Sequence, residues 1–529
     1  MSLRSVETEF DRALSVVRRS QIAPHLEDAI RSTSAGRPRR LSVEMLLAAL
    51  LVAPNQRFRS GTLVTVHRIL TDELSASRLR RSDLMWDEHG QAKTLTIRQV
   101  RYLFKQIVRA MDFSAHTTSG LDADDILDVT DTTHEWLNAL VRASLPDSLP
   151  TAEMHAIDAS AIPAWSLGRR RATDAQRAAG RPATASVDPD ADWGYRTVTT
   201  DSATKKFFGY HLNAAVTSYT PGSPWQSIKA ITAFDLVAAN AGLTESTINL
   251  LDDALLPFAP RTTLLVDRGY SNWVAPAWAD QLHARGVTQY LDMRDDNLGY
   301  REDPETGVIM FAGWPFSPWT PRHLFNITHP KRYSIAPLAP NASAPVRRRH
   351  ARSAAKVEQF NAQIQALAPY ALVRNGRRHA KGHQRFFTRT HGRENATAAQ
   401  RRTKAFTQET ISVSSAVLGK HYQPHRWGTP EWIAAYSRRT AVEGAFGVLK
   451  ARTGYAMTRG WTRAIGITAN TIMVTAAIVQ YNIQVIRRWA AKNALNDADL
   501  YDAPSKADAT PSGPRPAANP QRPGAPPAT

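Results

Sequence analysis

Cysteine is absent from the 529-residue sequence, and its absence excludes several kinds of chemistry. Disulfide bonds, thiol nucleophiles and cysteine-ligated zinc or iron–sulfur sites are all ruled out. A metal ion in this protein would therefore be held by oxygen or imidazole ligands. The first 21 residues also lack an apolar stretch, because they are charged and amphipathic. We therefore expect no secretory signal.

Long apolar runs are scarce. One run, residues 465–486, carries no charged residue and is long enough to cross a bilayer. The same run contains four amide side chains, those of Asn470, Gln480, Asn482 and Gln484. These are too polar for a lone membrane span. We therefore expect a helix buried in a large core and no membrane partner.

Negative charge is in short supply relative to positive charge. The chain has 66 Lys and Arg residues against 47 Asp and Glu residues, a formal net charge of +19. Its apolar content of 43% is typical of a globular protein rather than a disordered one. A strongly basic globular chain favours a polyanionic partner, and we expect the protein to be cytoplasmic.

The pattern of apolar residues changes along the chain and predicts five segments. Residues 1–148 have helical periodicity, and residues 149–294 alternate between strand and helix patterns. Residues 295–428 are irregular and very basic, residues 429–493 are helical again, and residues 494–529 form a Pro- and Ala-rich tail predicted to be disordered. The fold class is therefore α/β with a mixed sheet. Strands are predicted at 153–158, 207–217, 226–234, 262–267 and 287–293, and the third of them leads into a helix predicted at about 236–256.

One N-terminal helix, predicted over residues 96–112, has two distinct faces. Its apolar residues repeat at helical spacing. A second stripe consists of Arg98, Arg101, Lys105 and Arg109. Such a stripe is either a solvated face or a surface that contacts phosphates, and both interpretations stay open.

The helix that begins at Pro430 carries the most specific pattern in the sequence. Its members are Tyr436, Arg439, Glu443 and Lys450, at offsets of 0, 3, 7 and 14 residues. In a regular helix these positions fall within a sector of about 60°. Cations that flank a carboxylate suit a site for both a divalent cation and a phosphate. The simpler alternative is an i, i+4 ion pair between Arg439 and Glu443 on a solvated face.

The pattern Tyr-x2-Arg-x3-Glu-x6-Lys resembles the signature around the third acidic residue of bacterial insertion-sequence transposases, which carry an Asp-Asp-Glu triad. The resemblance covers roughly residues 150–490 and implies two Asp residues upstream, each at the end of a sheet strand. Asp158 lies in Ala-Ile-Asp-Ala-Ser and Asp267 in Leu-Leu-Val-Asp-Arg-Gly-Tyr. Both match the implied context, in the implied order.

The same resemblance implies an RNase H-like core, a mixed five-stranded sheet with helices on both faces. In that family the first Asp lies on the first strand, the second on the fourth strand, and the Glu on a late helix. An insertion domain can separate the last core strand from that helix, and residues 295–428 occupy this place. The family's insertion is usually strand-rich, whereas this segment is irregular and basic in sequence.

The function that the resemblance implies is DNA cleavage at the ends of an insertion sequence, followed by strand transfer into target DNA. Two Mg²⁺ or Mn²⁺ ions would be bound by Asp158, which bridges both, and by Asp267 and Glu443. Phosphates of the DNA end would be contacted by Tyr436, Arg439 and Lys450. The implied partners are double-stranded DNA (terminal inverted repeats and target) and further copies of the chain, in a homodimer or higher oligomer. The expected location is the bacterial cytoplasm, at the nucleoid.

Alternatives stay open on three points: the reaction, the role of residues 1–148 and the role of Trp273. A nuclease of the same fold would use the same carboxylates without strand transfer, and a non-catalytic derivative would only bind DNA. Residues 1–148 serve either to recognise DNA ends or as a dimerisation or scaffolding unit. Trp273, six residues after Asp267, either stacks on a flipped base or belongs to the core, and the core is the favoured interpretation.

Overall fold

The computed structural model describes residues 6–30, 39–55, 57–75, 95–114, 116–117, 120–168, 173–180, 186–197, 204–496 and 500. Most of the predicted disordered tail, from residue 494 onward, lies outside these residues.

The described N-terminal part of the chain is helical, as predicted. Its α-helices are α1 (Val6–Ser20), α2 (Ile22–Ile30), α3 (Val43–Val52), α4 (Leu63–Arg68), α5 (Ile97–Ala110) and α6 (Ala123–Ala143). Side chains of Ser42, Thr96 and Asp122 accept hydrogen bonds from the first-turn N–H groups of α3, α5 and α6. These caps explain where the three helices begin. The apolar faces of the helices join one core with the sheet that follows.

A mixed sheet forms the centre of the molecule. Its strands are β1 (Met154–Pro163), β2 (Asp192–Thr197), β3 (Thr204–Ser218), β4 (Ile231–Ala238), β5 (Thr263–Val266) and β6 (Thr288–Leu291). The spatial order is β2-β3-β1-β5-β6, and β4 also pairs with β3. β1 is antiparallel to β3 and parallel to β5, and β5 is parallel to β6. The mixed α/β sheet is thus confirmed, with β2 as a sixth strand that was not predicted.

Several boundaries in this region differ from the prediction. Strand β1, predicted to end at Asp158, continues to Pro163, so that Asp158 lies inside the strand and not at its end. The strand predicted at 226–234 begins only at Ile231 and continues to Ala238, where a helix had been expected. Residues in that stretch are covered from both sides, and burial on both faces makes strand and helix patterns hard to distinguish. The helices are correspondingly short. They are α7 (Asp174–Ala178), α8 (Leu243–Asn249), which continues as a π-helical turn to Leu255, and α9 (Ala279–Ala284).

The segment 295–428 is more ordered than its sequence predicts. One three-stranded sheet contains β7 (Tyr300–Glu302), β8 (Ile309–Phe311) and β9 (Trp314–Phe316), and another contains β10 (Val373–Asn375), β11 (Gln384–Phe387) and β12 (Thr410–Val413). The α-helices are α10 (Ala344–Leu367), α11 (Lys404–Thr407) and α12 (Ser415–Leu418). Strands of three or four residues are too short to produce a recognisable periodicity, which explains why the sequence pattern missed them.

The last part of the chain contains α13 (Pro430–Tyr436), α14 (Thr440–Lys450) and α15 (Ile467–Lys492). The prediction of one continuous helix from Pro430 is wrong, because a 3-10 turn at Ser437–Arg439 separates α13 from α14. The Ser437 hydroxyl donates to the Ala434 carbonyl at 3.1 Å, and the Thr440 hydroxyl donates to the Ser437 carbonyl at 3.0 Å. Side-chain bonds to carbonyls of the preceding turn are known to bend helices, and they account for this break.

Helix α15 is buried along most of its length, as predicted for residues 465–486. Its Asn482 side chain accepts from the Ile231 N–H at 2.9 Å and donates to the Ile231 carbonyl at 2.7 Å. From α6, Asn138 makes the same pair of bonds with the backbone of Phe234. Buried amides thus satisfy the free edge of β4, which accounts for Asn482 in an otherwise apolar helix. None of the described helices has the length and apolarity needed to cross a bilayer.

Candidate active site

The strand register brings the two predicted aspartates side by side. Ala156 of β1 lies opposite Leu265 of β5 in a parallel pair. Two positions further along, this register aligns Asp158 with Asp267, which directly follows β5. Side chains at matched positions of parallel neighbours point to the same face of the sheet. Both aspartates are half-buried there.

Asp158 is under strong electrostatic stress. Burial, followed by the neighbouring carboxylate of Asp267 and then that of Glu443, raises the pKa of Asp158 to about 7. The Ala159 N–H, which donates to Asp158 Oδ1 at 2.8 Å, and the positive charge of Arg439 act in the opposite direction. The three acidic residues that the sequence analysis singled out are therefore close enough to interact through their charges.

Glu443 reaches this pocket from α14, but it is paired with a cation. Arg439 Nη2 donates to Glu443 Oε1 at 2.6 Å. The Arg439 side chain is 16% exposed and that of Glu443 is 52% exposed. The i, i+4 ion pair considered as the simpler alternative is thus present, and it lies beside Asp158 rather than on a remote solvated face.

Tyr436 and Lys450 lie on either side of this pair. The Tyr436 ring stacks on Trp432 with centroids 4.6 Å apart. Burial, then the charge of Asp292, raises the pKa of Tyr436 well above its ordinary value, and Asp267 adds to this effect. Burial, and then the charge of Lys450, lowers the pKa of His211 on β3. Lys450 therefore lies near this imidazole.

Tyr270 is a pocket residue to which the sequence analysis assigned no role. It is buried at 6% exposure in the 3-10 turn Arg268–Asn272, which the Asp267 side chain caps by accepting from the Gly269 N–H at 2.6 Å. Burial, then the charges of Asp158 and Asp267, raises the pKa of Tyr270 well above its ordinary value. Trp273 packs on Tyr270 with ring centroids 4.2 Å apart, as expected for the core interpretation.

Asp292 extends the row of aspartates by one strand. Val266 of β5 pairs with Leu291 of β6, so that the next position on each strand aligns Asp267 with Asp292. Asp292 is 8% exposed, and its Oδ1 accepts from the Trp427 Nε1–H at 3.1 Å and from the Tyr333 hydroxyl. These partners come from the segment 295–428, which is thereby anchored beside the pocket. The available signal was Asp292's place at a strand end, the same as that of Asp267.

The basic stripe of α5 faces solvent. Its four members, Arg98, Arg101, Lys105 and Arg109, are all exposed. Two of them, Arg101 and Lys105, line a groove of about 660 Å³ together with Arg463. The stripe is therefore an accessible positive surface, as both interpretations of the sequence pattern required.

The pocket contains the donors that a hard divalent cation prefers, namely carboxylate oxygens without thiolate or imidazole. The repulsion at Asp158 is what such a cation would relieve. In the described part of the chain, however, no three His, Asp or Glu side chains are grouped so that they could hold a metal ion as they stand. Glu443 would first have to leave Arg439, and its exposure gives it room to do so.

Comparisons of the chain with known protein families, with curated proteins and with solved structures give no match.

Proposed function

We propose that this protein is a transposase of the Asp-Asp-Glu class, which cleaves DNA at the ends of an insertion sequence and joins them to target DNA. The observation that carries this proposal is the convergence of Asp158, Asp267 and Glu443, where burial and then the two neighbouring carboxylates raise the pKa of Asp158 to about 7. Strongly perturbed carboxylates are concentrated at functional sites, because the repulsion is unfavourable for folding. The class of reaction is inferred from the signature formed by Tyr436, Arg439, Glu443 and Lys450.

The proposed core of the enzyme is RNase H-like. Its five strands would be β1, β3, β4, β5 and β6, with β3 paired to both β4 and β1 and with β5 between β1 and β6. Asp158 then lies on the first core strand, Asp267 follows the fourth, and Glu443 lies on a later helix. This arrangement agrees with what the family resemblance implies. Strand β2 and the segment 295–428 would be additions to that core.

Two Mg²⁺ or Mn²⁺ ions are the proposed cofactor, with Asp158, Asp267 and Glu443 as ligands. When bound, the ions would activate a water or a DNA 3′-hydroxyl and stabilise the leaving oxygen of an in-line displacement. Ligation would also remove the repulsion that the three carboxylates exert on one another.

Arg439 is proposed to exchange partners when DNA binds. Its guanidinium donates one hydrogen bond to Glu443, and a DNA phosphate can accept two from the same group. Turning to the phosphate would free the Glu443 carboxylate for a metal ion. Tyr436 and Lys450 would contact further phosphates, the lysine as a point charge.

The exposed basic face of α5 is proposed to bind the terminal inverted repeats. Its accessibility and the net charge of +19 support this role over a purely structural one. Because residues of α1, α3 and α5 share a core with α15, DNA recognition and catalysis would belong to one cooperative structure. The active species is proposed to be a homodimer or higher oligomer assembled on DNA in the bacterial cytoplasm.

The proposal is tested with purified protein and a supercoiled plasmid that carries the DNA flanking the coding region. We expect cleavage that requires Mg²⁺ or Mn²⁺ and joined donor–target products that amplification across the junction detects. Asp158→Asn should abolish cleavage, whereas the matched control Asp296→Asn, an exposed acid, should not. Cleavage without joined products would favour the nuclease alternative. Binding without any metal-dependent cleavage would favour the non-catalytic derivative.

A further inference from the structure

A second cavity lies on a different flank of α14 from the acidic pocket. It has a volume of about 360 Å³, and α14 contributes Thr440, Gly444 and Val448 to its wall. At 100° per residue these three positions lie about 60–140° around the helix from Glu443, on the flank where residues of α15 complete the lining. Helix α14 therefore separates two pockets, of which only the first is used in the proposed reaction.

The second cavity is strongly basic. Its lining contains Lys229, Arg488 and Lys492, and no Asp or Glu belongs to the described lining. Arg438 lies close by, since its charge, after burial, lowers the pKa of Lys229. Burial lowers the pKa of Arg438, and the charge of Glu153 partly offsets this effect. Cations gathered around a cavity without carboxylates create a positive potential that attracts phosphate.

The exposed surface of α14 between the two pockets, called the crest below, contains two glycines. Gly444 and Gly447 lie on the exposed side of the helix, and a Cβ added at either position would meet no atom within 4 Å. Glycine weakens a helix interior relative to alanine, so packing does not explain two glycines three residues apart. Because glycine has no side chain, the surface of α14 is low at these two positions, and an extended DNA backbone could pass close to the helix there.

We propose that the basic cavity binds a backbone phosphate of the DNA strand that leaves the acidic pocket and crosses α14 over Gly444 and Gly447. The width of a helix, about 10 Å, corresponds to about three nucleotides of that strand at a spacing of about 3.4 Å. The cavity would thus hold a phosphate near the scissile bond and fix the position of the strand on the enzyme. This inference rests on the proposed function, because the strand enters from the proposed active site.

The test measures binding of the full-length protein to a fluorescein-labelled duplex of about 30 base pairs, by anisotropy in EDTA. Arg488→Gln/Lys492→Gln replaces two exposed side chains, and Arg261→Gln, an exposed cation before β5, is the matched control. We expect the double variant to bind about tenfold more weakly and to lower the slope of log K against log salt by about 2. Affinity within about twofold of the wild type with an unchanged slope would overturn the proposal.

A second variant tests the crest without removing charge. Gly447→Gln should melt at a higher temperature, because glutamine favours helix, yet it should bind the duplex more weakly. Equal affinity of Gly447→Gln and wild type would contradict the path across α14. If inorganic pyrophosphate protects the wild type thermally and the double variant loses only that protection, the cavity takes free phosphate and the DNA proposal fails. All of these binding and melting measurements are made in EDTA and do not require cleavage. Their failure can therefore be distinguished from a failure of metal-dependent cleavage, which would defeat the proposed function.

Discussion

At the scale of single residues, the acidic pocket concentrates unfavourable charge at Asp158. Its ordinary pKa of 3.8 is raised to about 7, first by burial and then by Asp267 and Glu443. Between these two pH values the unfolded chain releases the proton while the folded chain retains it, so that ionisation favours unfolding. The loss in the free energy of unfolding is absent well below pH 4, grows as the pH rises from 4 to 7, and stays constant at higher pH.

Asp158→Asn should therefore stabilise the protein at neutral pH. We expect the free energy of unfolding to rise by about 2 kcal/mol at pH 8, with the gain shrinking as the pH is lowered toward 4. Thermal unfolding followed by circular dichroism at several pH values measures this gain in EDTA. An equal melting temperature of variant and wild type at pH 8 would mean that Asp158 carries no such stress.

Asp292 should have the opposite effect on stability. It is buried, and its Oδ1 accepts from Tyr333, Trp427 and the Met293 N–H. Asp292→Asn replaces a charged acceptor and should lower the free energy of unfolding by about 2 kcal/mol. The matched control is Asp295→Asn, whose side chain is 89% exposed and which should change stability by less than about 0.5 kcal/mol. Chemical denaturation measures the stability of both variants. Equal stabilities of Asp292→Asn and Asp295→Asn would show that Asp292 does not anchor the segment 295–428.

The residues of the pocket differ in how far the sequence can predict them. Asp267 and Glu443 stand in contexts that are local in sequence, a strand end and a helical spacing, whereas Asp158 lies in the middle of β1, which continues to Pro163. Asp292 and Tyr270 join the pocket through strand register and through a 3-10 turn, which are tertiary properties. The pairing of Arg439 with Glu443 was foreseen as an alternative, but its location beside Asp158 was not.

At the scale of elements, buried amides hold the helices on the edge of β4. Asn482→Leu would keep the branched shape of the side chain but leave the N–H and carbonyl of Ile231 unpaired. We expect the free energy of unfolding to fall by about 2–4 kcal/mol. Gln484→Leu, two residues along the same helix and half-buried, should change it by about 0.5 kcal/mol or less. Urea denaturation measures both, and a small effect of Asn482→Leu would show that β4 does not depend on this bond.

Elements were predictable where their periodicity is long and one-sided. Helix α5 was predicted to within a few residues, because apolar side chains repeat on one face and Thr96 caps it. The 3-10 turn at Ser437–Arg439 was not predictable, because no Gly or Pro marks it and side-chain hydrogen bonds produce it. The short strands of 295–428 depend on aromatic contacts such as Trp314 with Phe386, between residues distant in sequence.

At the scale of the whole molecule, the net charge of +19 should make DNA binding steeply dependent on salt. The basic face of α5 should supply part of that dependence. We expect Arg101→Gln/Lys105→Gln to lower the slope of log K against log salt by about 2, because two phosphate contacts are lost. Anisotropy titrations at several salt concentrations measure the slope. An unchanged slope would show that the stripe does not contact phosphates and is only a solvated face.

The central claim is that Asp158, Asp267 and Glu443 bind divalent metal at a single place, and iron-directed cleavage of the polypeptide tests it most directly. Fe²⁺ with ascorbate and peroxide cuts the backbone near a bound ion, and the fragments are mapped by mass spectrometry. We predict cuts near all three residues, which excess Mg²⁺ suppresses and which Asp158→Asn eliminates together. Cuts confined to one of the three segments, or cuts that persist in Asp158→Asn, would contradict the account.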